Sequence, residues 1–191
     1  MGEFACTGSK KAHPKPKQSR ISSMFGNSLN NTYSTRICGG KLSVTMVDVS
    51  GKPEVFREAT AKGSIKLKPK TIMLIKEGKI AKGDPLYTAK IAGVLAAKRT
   101  STMVPLCHPL PLANVEVEAE VVGSSAVEVT ATVKTKAQTG VEMEALTAVS
   151  VGLLTVWDMT KQYEKDASGQ YPSTKIENIH VVSKVKRTVA E

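Results

Sequence analysis

Val115-Glu116-Val117-Glu118-Ala119-Glu120-Val121, followed after Gly123-Ser124-Ser125 by Val127-Glu128-Val129-Thr130-Ala131-Thr132-Val133, decides the fold class. Strand side chains alternate between faces, so Val115, Val117, Ala119 and Val121 line one side and Glu116, Glu118 and Glu120 the other. The second run repeats the pattern with Val127, Val129, Ala131 and Val133. Two such runs joined by a Gly/Ser turn predict a β-hairpin with one wet face, whose dry face needs a cover.

The cover is written on either side. Downstream, Val141 to about Glu164 reads as a long helix, Ser168-Gly169-Gln170-Tyr171-Pro172 as a turn, and Ile176 to Val185 as a final strand. Upstream, Val55 to Leu67 has strand character, broken near Gly63, and Thr71 to Glu77 suits a short helix closed by Gly78. Asp84-Pro85 then supplies an N-cap followed by proline at the first helical position. That helix runs to about Arg99, with Ile91, Val94 and Leu95 on one face and small Ala92, Gly93, Ala96 and Ala97 allowing close packing. An α+β fold follows, an antiparallel sheet with helices packed on one face.

At 191 residues and 41% hydrophobic, the chain suffices for one sizeable core. The formal charge of +10 points to an anionic partner: nucleic acid, a membrane surface or a phosphorylated small molecule. Aromatic residues at 4% argue against a base-stacking platform, and no apolar run reaches membrane-spanning length. Cys6, Cys38 and Cys107 are scattered and in no metal spacing, which fits a reducing compartment and free thiols. Residues 1–40 are basic, acid-poor and without hydrophobic period. They are expected to be a disordered leader, either a targeting segment or an addition for expression, with the folded domain over 41–191.

Several polar residues stand where packing alone does not need them. Glu142 and Glu144 open the long helix, where its positive end favours acids. They could equally accept hydrogen bonds from a donor-rich, guanine-like ring. Asp158 and Lys161 are neighbours on the helix surface at i, i+3, yet they follow the apolar run Leu153, Leu154, Val156 and Trp157. Lys82 could reach a phosphate near the N-terminus of the helix that Asp84 caps. Lys98 shares a stripe with Ile91 and Val94, and on spacing alone its place in the last helical turn explains it. Between Pro105 and Pro109, Cys107 and His108 do not form a thiolate–imidazole pair, because adjacent side chains of an extended loop point apart. His108 stays open as a substrate hydrogen-bonder. From Glu144 to Asp158 the helix is about 21 Å long, so its two ends cannot touch one small ligand within one subunit. Either the two ends have different roles, or a symmetric assembly brings the start of one helix near the end of another; the second is expected, with sites at subunit interfaces.

Taken together, Met46-Val47-Asp48-Val49-Ser50, Lys82-Gly83-Asp84, Ile91-Ala92-Gly93, Ala96-Ala97-Lys98-Arg99, Pro105-Leu106-Cys107-His108-Pro109, Thr139-Gly140-Val141-Glu142-Met143-Glu144-Ala145-Leu146-Thr147 and Asp158-Met159-Thr160-Lys161 resemble the cyclic pyranopterin monophosphate synthase family of molybdenum cofactor biosynthesis. The resemblance spans roughly Met46 to Lys161. It implies a ferredoxin-like α+β fold and a homo-hexamer, a trimer of dimers, with active sites at dimer interfaces. The implied reaction converts 3′,8-cyclo-7,8-dihydroguanosine 5′-triphosphate, made by a radical-SAM enzyme, into cyclic pyranopterin monophosphate and pyrophosphate. Asp158 would be the acid/base residue, with Lys82 and Lys161 beside the chemistry. Leu106, Cys107, His108, Glu142, Met143 and Glu144 would line the substrate pocket, and Lys98, Arg57 and Lys52 would contact the triphosphate. No resident cofactor or protein metal site is implied, though magnesium could accompany the triphosphate. The expected location is cytoplasmic, or organellar if the leader is a transit segment.

The chain departs from the family at its end. Many members close with Lys-Ser/Thr-Gly-Gly; here Val182-Ser183-Lys184-Val185-Lys186-Arg187 lacks the glycines, leaving Lys184 or Lys186 to supply the charge. The rival reading is a basic nucleic-acid-binding module, drawn from the net charge and the basic leader.

Overall fold

The computed structural model describes residues 44–188 and the two-residue strands Ile37–Cys38 (β1) and Lys41–Leu42 (β2), which pair antiparallel. The expected leader over 1–40 lies almost wholly outside the described residues. Val44 opens a compact unit that runs to the end of the chain.

In that unit the order is β3 (Val55–Lys66), α1 (Pro69–Lys76), α2 (Pro85–Ala97), α3 (Thr100–Met103), β4 (Leu112–Val122), β5 (Ala126–Ala137), α4 (Glu142–Glu164) and β6 (Lys175–Arg187). The sheet order is β4-β5-β3-β6 with every pair antiparallel. A β-α-β-β-α-β succession with its first and third strands in the centre is the ferredoxin-like arrangement.

Alternation explains which strands are central. Val127, Val129, Ala131 and Val133 of β5 are fully buried beneath the helices, as are Ala61 and Ile65 of β3. Each buried aliphatic of valine size or larger contributes about 1.5–3 kcal/mol. Edge strand β4 buries Val117 and Ala119 and leaves Glu116, Glu118 and Glu120 in solvent, as the hairpin pattern requires.

Gly63 does not break β3. A Cβ there would meet Ile179 Cγ1 at 2.8 Å, Leu153 Cδ1 at 3.0 Å and Val149 Cγ1 at 3.1 Å, so side chains of α4 and β6 crowd this point. The irregularities fall instead in the β3–β6 register, which shifts between Thr60 and Ala61 and again between Lys62 and Ser64.

Helix α2 turns its small residues inward. Ala89, Gly93, Ala96 and Ala97 are buried, and a Cβ on Gly93 would lie 3.0 Å from Val117 and 3.1 Å from the Ala148 carbonyl. Of the aliphatics sharing the expected face, only Val94 packs on the core, whereas Ile91 and Leu95 are exposed, in line with exposed Tyr87. The small side chains let α2 lie tight against α4 and β4, which turns the larger ones outward. The helix ends at Ala97 rather than about Arg99, and the short α3 follows.

Glu164, at the last turn of α4, is fully buried and accepts the Lys68 N–H (3.1 and 3.2 Å) and the hydroxyls of Thr71 and Thr174. The Lys68 ammonium donates in return to the Lys165 (2.9 Å) and Tyr163 (3.4 Å) carbonyls. Helix α1 has no side-chain cap of its own, so α4 caps its start and Lys68 caps the end of α4. This clamp fixes the segment leading to Lys82.

Candidate active site

Ala145, Ala148, Val149, Gly152, Leu153 and Val156 occupy the inner face of α4, which leaves Leu154, Asp158 and Lys161 outward at i, i+4 and i+7. The Lys161 ammonium lies 2.7 Å from Asp158 Oδ1. Lys82 arrives from the α1–α2 loop and donates to Asp158 Oδ2 at 2.7 Å and to the Asp158 carbonyl at 3.0 Å. One carboxylate thus sits between two ammonium groups contributed from opposite sides.

Asp84 is the α2 cap, accepting from Leu86 N (2.8 Å) and Tyr87 N (3.1 Å). Lys82 does not turn toward that helix start, as a phosphate-gathering role there required; it crosses to α4. Gly83, with φ +96°, provides the reversal between the two residues.

The two lysines set the charge state. The hydrogen bond from Lys161, then that from Lys82, holds the Asp158 carboxyl down at about 2, and Asp158 in turn raises Lys161. Asp158 and Lys161 therefore stay ionised at neutral pH. Beside them opens a groove of about 440 Å³ lined by Leu154, Trp157, Asp158, Lys161 and Ile176. Trp157 is backed by Tyr171, ring centroids 5.7 Å apart and planes inclined by 58°. An apolar wall with charged groups along one edge suits a flat ring bearing phosphates.

A second cluster gathers at the start of α4. Glu144 is buried, its Oε1 takes the Cys107 thiol at 3.5 Å, and its Oε2 has no partner among the described residues. Burial raises its pKa. Burial likewise pushes the Cys107 thiol up to about 11, reinforced by the adjacent Glu144 carboxyl. Cys107 is therefore no nucleophile at neutral pH. His108 Nε2 lies 2.8 Å from the Val47 carbonyl, so the neighbouring Cys107 and His108 side chains serve different partners. Burial pushes Glu142 up, but hydrogen bonding to Lys184 and the nearby Arg57 charge outweigh it and leave its pKa lowered.

Arg57 donates from Nε to the Ala137 carbonyl (3.0 Å) and from Nη2 to the Gln138 carbonyl (2.9 Å). Lys184 stands opposite Ala59 and Lys186 opposite Arg57 in the β3–β6 register, so all three cations lie on the helix-covered face. Of the two C-terminal lysines, Lys184 is the one bonded to Glu142. Leu106 and Met143 are exposed near this cluster in sequence. Lys52 and Lys98 are exposed and make no side-chain hydrogen bond or ion pair among the described residues. Lys98 projects outward with Ile91 and Leu95.

The structure therefore brings Lys82, Asp158 and Lys161 together, and separately Cys107, Glu142, Glu144, Arg57 and Lys184. About 21 Å of α4 separates the two groups. Tyr163 and Glu164, which hold the Lys82 loop and its approach, escaped sequence reasoning because their partners Ala81, Lys68 and Thr71 lie far away in the chain. Among the described residues no three His, Cys, Asp or Glu converge as metal ligands, and no helix is long and apolar enough to cross a membrane.

A family model described as the MoaC family matches residues 46–186, which takes in both clusters. The chain belongs to the MoaC family. Curated members of it are similar over most of their length. A probable cyclic pyranopterin monophosphate synthase of Pyrococcus horikoshii is 58% identical over 143 residues, 75% of this chain and 89% of the relative. Proteins of the same name from Thermococcus kodakarensis (57% over 143 residues, 75% and 91%) and Sulfolobus acidocaldarius (55% over 141 residues, 74% and 98%) match comparably. MoaC membership agrees with the resemblance drawn from the motifs, and gives no support to the nucleic-acid-binding alternative.

Proposed function

We propose that this chain is a lyase that converts 3′,8-cyclo-7,8-dihydroguanosine 5′-triphosphate into cyclic pyranopterin monophosphate and pyrophosphate, in molybdenum cofactor biosynthesis. The observation that carries the reading is Asp158 held between Lys82 and Lys161 at the edge of an apolar groove, in a chain more than half identical to proteins named for this activity.

The chemistry matches the residue types. Forming the cyclic phosphate joins a sugar-derived hydroxyl oxygen to the α-phosphorus and breaks the bond to the β-phosphate oxygen. The departing pyrophosphate needs fixed cations. Rearranging the purine-derived ring needs protons delivered and removed at one edge, which suits an Asp flanked by lysines. In the free enzyme the lysines hold Asp158 as a weak base. Substrate phosphate competing for Lys82 or Lys161 would release that restraint and raise its basicity in the complex. Asp158, Lys82 and Lys161 are assigned the chemistry. Leu106, Cys107, His108, Glu142, Met143 and Glu144 are assigned the ring, and Arg57, Lys98, Lys52 and Lys184 the triphosphate. Magnesium, where bound, is assigned to the triphosphate as its counter-ion.

The site is proposed to be completed between subunits of a homo-hexamer. The separation along α4 supports this, as does the exposed apolar row Tyr87, Ile91 and Leu95 on α2. A radical-SAM enzyme is the proposed source of the substrate, and the cytoplasm the proposed location, or an organelle if the leader over 1–40 is a transit segment. The test is incubation with the cyclic dihydro-nucleotide. Equimolar pyrophosphate and cyclic phosphate product are expected, with plain GTP inert. Salt-dependent binding of random DNA without turnover would favour the rival module instead.

A further inference from the structure

Tyr163 reaches the loop that delivers Lys82. Its phenolic oxygen accepts the backbone N–H of Ala81 at 2.9 Å, one residue before Lys82. Its ring packs partly buried against the core, so the hydroxyl is carried to the loop on a fixed stem. On either side the loop is held by buried Ile80 and by Asp84 at the α2 cap, with a Gly83 N–H to Ile80 carbonyl turn of 2.9 Å between them. Among the described residues, the remaining ties between this loop and the active face of α4 are Tyr163 to Ala81 and Lys82 to Asp158. The second must loosen whenever substrate draws Lys82 away from Asp158. The first does not involve a reacting group and persists.

We infer that Tyr163 is a positioning residue for Lys82, keeping the Ala81–Lys82 backbone on α4 while the Lys82 ammonium exchanges between Asp158 and substrate. This rests on the proposed role of Lys82 in the reaction. A hydroxyl that accepts from a backbone amide ties the loop to α4, which bears on the reaction step more than on substrate capture.

Tyr163→Phe in the full chain keeps the ring and deletes the acceptor. The expected result is a kcat three- to tenfold lower, about the size of one lost hydrogen bond, with KM changed less than twofold. A second readout needs no activity: the Asp158 carboxyl followed by carbon NMR. In Tyr163→Phe its titration should move up toward that of Lys82→Ala, and adding Tyr163→Phe to Lys82→Ala should move it no further. Unchanged kcat and unchanged Asp158 titration would overturn the inference, as would equal shifts in both backgrounds. If the unsubstituted chain fails to turn over the cyclic nucleotide, the functional reading fails, while the titration still decides whether Tyr163 governs Lys82.

Discussion

Lys82 binds Asp158 twice, at the carboxylate (2.7 Å) and at the backbone carbonyl (3.0 Å), although 76 residues separate them. The ammonium is therefore placed by the helix itself as well as by the charge it neutralises. Asp158→Asn should leave the carbonyl contact and the fold in place. It should lower pyrophosphate release by about 10²–10⁴-fold, the usual contribution of a positioned acid or base. Lys161→Ala should behave alike, with circular dichroism and oligomer size unchanged in both. Near-normal turnover in both variants would remove Asp158 and Lys161 from the chemistry.

Cys107 gives a prediction in pH. With the thiol pushed up to about 11 by burial and by Glu144, the neutral form prevails at all physiological pH. Alkylation of Cys107 by iodoacetamide should be slow at pH 7–8 and accelerate only as pH approaches about 11. Glu144→Gln removes the repulsive charge and should bring the acceleration to lower pH. Peptide mapping separates Cys107 from Cys6 and Cys38. Rapid labelling of Cys107 at pH 7 would contradict the buried, acid-facing thiol.

The sheet was readable in the alternating runs of β4 and β5, because one wet face leaves a period of two. The α2 start was equally readable, since Asp84-Pro85 is a local signal. The orientation of α2 was not: Ile91 and Leu95 look like core residues, and an apolar pattern cannot distinguish a buried face from an exposed one. Gly93 held the better clue, because only a close approach to Val117 and Ala148 needs it. Asp158 and Lys161 were visible as an i, i+3 pair, whereas Lys82 joined them only through resemblance. Glu164 was invisible, because a buried carboxylate is recognised by donors that only the tertiary fold brings to it.

That carboxylate should matter for stability rather than turnover. Glu164→Ala leaves the Lys68 N–H and two threonine hydroxyls without their shared acceptor. A loss of about 3 kcal/mol or more is expected, since each buried donor left without its acceptor costs roughly 1–3 kcal/mol. Thermal unfolding should show Tm lower by about 6–12 °C for a domain of this size. An unchanged Tm would show that the clamp is replaceable by water.

The proposed triphosphate contact at the C-terminal strand falls to Lys184, the lysine bonded to Glu142. Lys184→Ala frees Glu142 and removes one cation from the face shared with Arg57. KM for the cyclic triphosphate should rise about tenfold with kcat little changed, the signature of lost uniform binding. A larger effect from Lys186→Ala would transfer that role to Lys186.

In the proposed interfacial site, opposite ends of α4 from two subunits meet around one substrate. Asp158→Asn disables one end and Glu142→Ala the other, and each variant alone should release almost no pyrophosphate from the cyclic dihydro-nucleotide. Unfolded together and co-refolded in equal amounts, they should regain activity approaching about a quarter of the unsubstituted level. Random pairing at a two-fold interface leaves that share of sites intact. Mixed oligomers with no more activity than the separate variants would contradict a shared site.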